Sequence, residues 1–147
     1  MSARAIERGI EEACETLLSS RSYITSNSIP VRRYGDGDVE VSLRQVAVRC
    51  HELECSNIGP IGGGTHYTAK VEFYAYVPIA SDKNQAYLDG LYEELRLAAS
   101  SFTTSSISPI GIVILGKIMD QGQDEYSERL RMKSCAFKIF INVTEAN

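Results

Sequence analysis

Between residues 2 and 20 the apolar side chains Ile6, Ile10, Cys14, Leu17 and Leu18 return every three or four positions, with Arg4, Glu7, Arg8, Glu11, Glu12 and Glu15 on the other side. This spacing predicts an amphipathic helix with Ser2 as its N-cap, ending in the serine-rich stretch at residues 19–22. Residues 22–38 mix Asn27, Pro30, Gly35 and Gly37 with short apolar pieces and read as a loop or a short edge strand. From residue 39 the period becomes two. Val39, Val41 and Leu43 share one phase and Val46, Val48 and Cys50 the other, which predicts a bulge or a break between two strands near Arg44 and Gln45.

The clearest strand pattern follows. Tyr67, Ala69, Val71, Phe73, Ala75 and Val77 form an apolar face, and His66, Thr68, Lys70, Glu72, Tyr74 and Tyr76 a polar, aromatic one. Pro78 ends it, and a helix capped by Ser81 or Asp82 runs to about Ser100, with Tyr87, Leu88, Leu91, Tyr92, Leu95 and Ala98 or Ala99 along one side. Residues 111–119 read as a buried strand, residues 120–128 (DQGQDEYSE) as an exposed polar hairpin loop, and residues 129–143 as the closing strand. The fold class expected is α+β: a mostly antiparallel sheet with two helices packed on one face and a C-terminal β-hairpin, in a single domain over residues 1–147.

Composition narrows the chemistry. With 147 residues, 44% hydrophobic and 23% charged, the chain suits one folded domain and is unlike a disordered or fibrous one. A net charge of -4 gives no general attraction to nucleic acid or to an anionic membrane surface. No apolar run reaches the roughly 20 residues that span a bilayer, and the start, MSARAIERGI, carries charges where a signal peptide would be apolar. A cytoplasmic site of synthesis and no membrane partner are expected, and Cys14, Cys50, Cys55 and Cys135 read as reduced thiols.

The candidates for site chemistry are weak. Cys50, His51 and Cys55 include zinc-type ligands, but at wide spacing and without a fourth. The glycine-rich IGPIGGGTHY lacks the Gly-Lys-Ser/Thr ending of a phosphate-binding loop and precedes a strand, so it reads as a flexible loop ordered by a partner. Asp36, Asp38 and Glu40 alternate like calcium ligands without the rest of that loop, and turn chemistry explains them. Two histidines, neither in a nucleophile motif, leave no catalytic residue to name. The expectation is a protein that is not an enzyme and uses no cofactor and no metal. Arg129, Arg131 and Lys133 alternate and so project from one strand face, where they face water or line a channel; Tyr74 and Tyr76 share another face suited to a helix or a neighbouring subunit.

The order of these segments resembles the tail terminator proteins of long-tailed bacteriophages. The likeness lies in the amphipathic start from Ile6 to Leu18, the strand THYTAKVEFYAYVPIASD leading directly into NQAYLDGLYEELRLA, the strand ending ILGKIMD, and the closing RLRMKSCAFKIFINV after a polar loop. The resemblance implies a structural virion protein, assembled in the host cytoplasm, forming a homo-oligomeric ring, typically a hexamer. Such a ring caps the tail tube protein, ends tail elongation and offers a docking surface to the head-tail connector or stopper, while DNA passes through without specific binding. A connector, stopper or tube subunit of the same particle, or a small cytoplasmic binding protein, are the alternatives. Under this reading Gly59, Gly62, Gly63, Gly64, Tyr74, Tyr76, Gln121, Gln123, Asp124, Glu125 and Tyr126 meet neighbours, and Arg129, Arg131 and Lys133 face the lumen. Excising Gly62, Gly63 and Gly64 is expected to spare the fold, read by thermal melting, and to weaken ring formation or docking, read by head-tail joining.

Overall fold

The Ser2 hydroxyl accepts a hydrogen bond from the Ala5 N–H at 3.2 Å and opens helix α1 (Ala3–Ser19), so the chain starts with the N-cap its sequence predicts. The structure is a computed structural model that describes residues 2–37, 42–55, 64–81, 86–102, 111–127 and 129–144. Val39, Val41, Asp38, Glu40, Gly59, Gly62, Gly63 and Asp82 lie outside the described residues. Ile6, Ile10, Cys14 and Leu18 are buried, as their spacing requires. Glu11, expected on the polar side, is buried instead: its Oε2 accepts the Cys50 N–H at 2.9 Å. The carboxylate supplies an acceptor to a strand edge that the neighbouring short strand does not reach, while its Oε1 makes no hydrogen bond and lies 3.6 Å from the Arg4 guanidinium, so a paired N–H on one oxygen and a nearby cation on the other offset its burial.

The segment after α1 holds more structure than its composition suggests. A five-residue helix, α2 (Ser22–Ser26), precedes β1 (Val31–Arg33), so three helices stand where two were expected. β1 pairs in parallel with β2 (Gln45–Cys55), which starts at the predicted phase switch. Leu43, placed by periodicity in a strand phase, lies in the turn before β2 and is 49% exposed. Within β2 a register shift between His51 and Glu54 coincides with Glu52 at φ 55°, the bulge that lets the strand follow its long partner.

That partner is β3 (Thr65–Pro78), which runs antiparallel to β6 (Leu130–Val143) from Thr65 opposite Val143 to Pro78 opposite Leu130 without a slip. β4 (Ile112–Asp120) and the short β5 (Asp124–Tyr126) both pair with β6, and the six-stranded order is β1-β2-β3-β6-β4, with β5 beside β6. Alternation then sorts the side chains. Ala69, Val71, Phe73, Ala75 and Val77 of β3 join Cys135, Phe137, Ile139, Ile141 and Val143 of β6 in the main core. α1 covers the β1–β2 half of that face, and α3 (Ala86–Ser101) covers the β3–β6 half with Leu88, Leu91, Leu95, Ala98 and Ala99. Phe137 meets Phe73 and Phe102 at centroid distances of 5.4 Å, at the centre of this layer.

Tyr87 departs from the helix line expected of it: it is 46% exposed, and the Arg44 guanidinium lies 4.5 Å from its ring. A further departure concerns β4, expected to be buried. It is an edge strand, and Val113, Leu115, Ile118 and Met119 are exposed. Its anchor is polar. Lys117 Nζ donates to the carbonyls of Ala99, Ser100 and Phe102 at 2.6, 2.9 and 3.0 Å, closing the C-terminal end of α3 with a cation where the helix leaves acceptors unpaired. Lys117→Met is expected to lower unfolding free energy by about 1–3 kcal/mol, measured by urea denaturation, because the stem is kept and the charge-assisted bonds are lost.

Candidate assembly surface

α1 and α3 pack on the same side, and among the described residues the opposite face of the sheet carries no helix. The polar phase of β3 and the even-numbered residues of β6 share it, since Glu72, Tyr74 and Tyr76 stand opposite Ala136, Ser134 and Met132. Much of this face is nevertheless closed to water by its own side chains. Tyr34, Tyr74 and Tyr76 stack in sequence with centroids 5.2 and 6.2 Å apart, and Arg49 lies 4.5 Å from the Tyr34 ring. Burial pushes the Tyr74 hydroxyl up to about 12, against the opposing pull of Arg49. Next to the stack, buried Glu72 takes His51 Nε2 at 2.7 Å and the Ser134 hydroxyl at 3.4 Å. Both carboxylate oxygens are thereby partnered.

The loop read as exposed and polar is tied down at its root. The Gln123 N–H donates to Ser134 Oγ at 2.7 Å and the Ser134 N–H donates to the Gln123 carbonyl at 2.8 Å. A Cβ on Gly122 would collide with the Ser134 carbonyl, so only glycine allows this approach. The result is that Asp124, Glu125 and Tyr126 form β5 and stand exposed along the same sheet edge as β4. Gln121 is exposed just before them. Gly64 belongs to the root of β3, where a Cβ would strike the Asn142 side chain. The trimming of the glycine segment that best separates loop from sheet therefore stops short of it.

Arg131 and Lys133 do share a face, as alternation demands, but it is the helix-bearing one. They stand opposite Val77 and Ala75, Lys133 Nζ lies 4.4 Å from the Tyr92 ring of α3, and Arg131 lies 6.0 Å from the Tyr126 ring. Arg129 is exposed just before β6, its carbonyl accepting the Ile79 N–H at 2.9 Å. Arg131 and Lys133 thus sit on the other side of the sheet from the tyrosine pair. Cys50 and His51 also diverge, one into the core and one onto Glu72, while Cys55 is exposed; among the described residues no group of three His, Cys, Asp or Glu could hold a metal ion. No helix among the described residues is long and apolar enough to cross a membrane.

The two sheet edges differ sharply. β1 is three residues long, and Arg33 binds Glu12 and Glu15 of α1 at 3.1 Å. β4 offers nine residues whose outer side meets no further strand among the described residues, with Leu115 56% and Ile118 58% exposed. Near the β5 end of this edge, Tyr76, Glu125, Tyr126, Ser127, Leu130 and Met132 line an open pocket of about 270 Å³. A long apolar edge is a template for another chain. The signal was present in the sequence as the run IVILGKIM, but periodicity cannot distinguish a strand buried inside the sheet from one exposed at its edge.

No family model and no curated protein matches this sequence. A chain of a solved structure described as the virion of a native gene transfer agent particle superposes with a TM-score of 0.64, covering 97% of this chain and 99% of its own at 9% identity. The likeness is one of fold. A second solved chain, whose name carries no functional description, superposes with a TM-score of 0.51 and 11% identity, over 100% of this chain and 99% of that one. At such identities the shared property is the arrangement of helices and strands, and it extends over nearly the whole of both partners. Leu115→Lys with Ile118→Lys is expected to leave the unfolding free energy within about 0.5 kcal/mol, since both side chains are at the surface. The same double variant is expected to reduce self-association measured by sedimentation velocity, because two charges then occupy the apolar edge.

Proposed function

We propose that this chain is a structural subunit of a phage-type virion: a ring-forming protein that caps the tail tube, ends its elongation and presents the surface on which the head connector docks. The observation that carries this reading is the end-to-end fold likeness to a chain of a gene transfer agent virion. The unlike edges support it further. A subunit with a short charged edge on one side and a long apolar edge on the other is built for head-to-tail contact, the kind that generates rings when the rotation closes. Six copies is the number that the resemblance to tail terminators implies.

The role asks for no catalysis. Glu72, His51 and Ser134 use their polar atoms on one another, and the aromatic stack stiffens the helix-free face instead of opening a cleft. A net charge of -4 suits a passage through which DNA slides without being held. Labelling this protein in intact particles and locating the label by electron microscopy is expected to give a single spot where head meets tail. Label along the whole tail would make it a tube subunit, and absence from purified particles would overturn the virion reading.

A further inference from the structure

A second pocket, of about 290 Å³, opens on the β1–β2 side of the sheet, where the end of α2 turns toward β1 and where the chain enters β2. We propose that it binds a carboxylate carried on an apolar body, with Arg44 as the cation that recognises the acid group and Ser28 as a hydroxyl donor beside it. Both walls are pinned by hydrogen bonds, so the site is preformed. On one side the Ser28 N–H donates to the Thr25 carbonyl at 3.1 Å, the Ile29 N–H to the Ile24 carbonyl at 3.0 Å, and Asn27 Nδ2 to the Tyr23 carbonyl at 2.8 Å. The Pro30 carbonyl accepts the Val46 N–H at 3.0 Å, which ties this wall to β2. On the other side the buried Gln45 donates its Nε2 to the Leu43 carbonyl at 3.3 Å.

The lining has two characters. Ile29, Pro30 and Leu43 supply apolar surface, while Ser28, Ser42 and Arg44 supply polar groups. Arg44 decides the sign of the charge. No residue lining the pocket is acidic, so nothing in its wall neutralises the guanidinium. That group lies 4.5 Å from the centroid of the Tyr87 ring of α3. Stacking engages the flat face of a guanidinium and leaves the N–H groups along its edge for a partner in its own plane, where a carboxylate is bound bidentately. A tyrosine thus holds the cation in place before a ligand arrives. One guanidinium matches one negative charge, and the apolar walls next to it favour an acid group carried on hydrocarbon over a compact phosphate. The backbone supplies an independent observation. Ser28 has φ 52°, the left-handed conformation that glycine adopts freely, at the position following the α2 C-cap Asn27. A serine there bears strain that a glycine would not, and it places a hydroxyl-bearing residue in the wall of the pocket.

This site stands apart from the ring reading, and its test needs only the full chain in solution. Hexanoate, a free organic acid, and acetyl-leucine, which mimics the carboxylate end of a protein chain, are titrated into isotope-labelled protein. The backbone amides of Ser28 and Arg44 are followed by NMR, with hexanamide and inorganic phosphate as controls and thermal melting as the fold check. At least one of the two acids is expected to give a saturable shift centred on these amides, and neither control is. Tighter binding of acetyl-leucine assigns the site to a protein chain end, and tighter binding of hexanoate to a small organic acid. Arg44→Met keeps the stem and removes the charge, and is expected to weaken binding by about tenfold or more with the melting temperature retained. Ser28→Gly is expected to raise the melting temperature and yet weaken binding, two changes of opposite sign that a merely structural serine does not produce. No saturable shift from either acid, an equal response to hexanamide or to phosphate, or an Arg44→Met variant that binds like the wild type overturns the site. A Ser28→Gly variant that binds like the wild type overturns the role given to the hydroxyl.

Discussion

The structure depends on the unbroken antiparallel pairing of β3 with β6. Fourteen residues on each strand are in register from Thr65 opposite Val143 to Pro78 opposite Leu130, and alternate positions from Ala69 to Val77 and from Cys135 to Val143 enter the helix-covered core. A slip of one residue in β3 would move Val71 and Phe73 to the helix-free face while Phe137 and Ile139 of β6 stayed in the core, so the hydrophobic pattern fixes the register along with the hydrogen bonds. Burying each such side chain is worth about 1.5–3 kcal/mol, and their concentration at one pair of strands makes that pair the scaffold onto which shorter strands add. β2 reaches along β3 only by accommodating a bulge at residues 52–53, and β4 follows β6 only by a bulge at Leu115. Both irregularities are on the added strands.

From this scaffold follows a division of labour between the two faces. The helix-bearing face is conventional core. The other has to remain folded without a covering layer, and it does so through side chains that satisfy one another: Tyr34, Tyr74 and Tyr76 by stacking, Arg49 against the Tyr34 ring, Glu72 by His51 and Ser134. Satisfied polar groups are what make the burial of Glu72 tolerable on a face that carries no helix among the described residues. The same network holds Ser134 where it can anchor Gln123, and Gln123 begins the segment that carries β5. The helix-free face thus positions the edge.

Much of the fold was legible in the sequence because it rests on periodicity. The start of α1 at Ser2, the inward face of β3, the start of β2 at the phase switch and the closing strand all depend on spacings of three to four or of two, and those spacings are in the chain itself. The departures have a different physical origin. Glu11 looks like a surface acid until a strand 39 residues away presents an unpaired N–H. α2 is too short for a stripe, so its five residues read as loop. Tyr87 fits a helix line by spacing, yet Arg44 holds it at the surface. Of the site, Tyr74, Tyr76 and the residues 123–126 could be nominated by type and place, but their relation to one another could not, because the row joining Tyr76, Met132 and Glu125 exists only once three strands are paired. Leu43, which alternation groups with Val39 and Val41 in a strand phase, lies instead in the turn before β2 and is exposed.

An exposed edge as apolar as β4 invites indiscriminate pairing, and its construction limits that risk without removing the edge. Leu115 is the extra residue of a bulge between Ile114 and Gly116, which breaks the regular row of hydrogen-bonding groups that a foreign strand would need. Lys117 sits in the middle of the strand but is turned to the end of α3, where three carbonyls hold it. Asp120 then closes the strand with a charge, 3.8 Å from Lys70. These features interrupt a sequence that would otherwise be six or seven apolar residues in a row, the length at which strands stack into aggregates. They leave Val113, Leu115, Ile118 and Met119 exposed in two short groups on either side of the interruption. A partner matching both groups must match the bulge between them, and so the irregularity that protects the free chain also selects what can cover it.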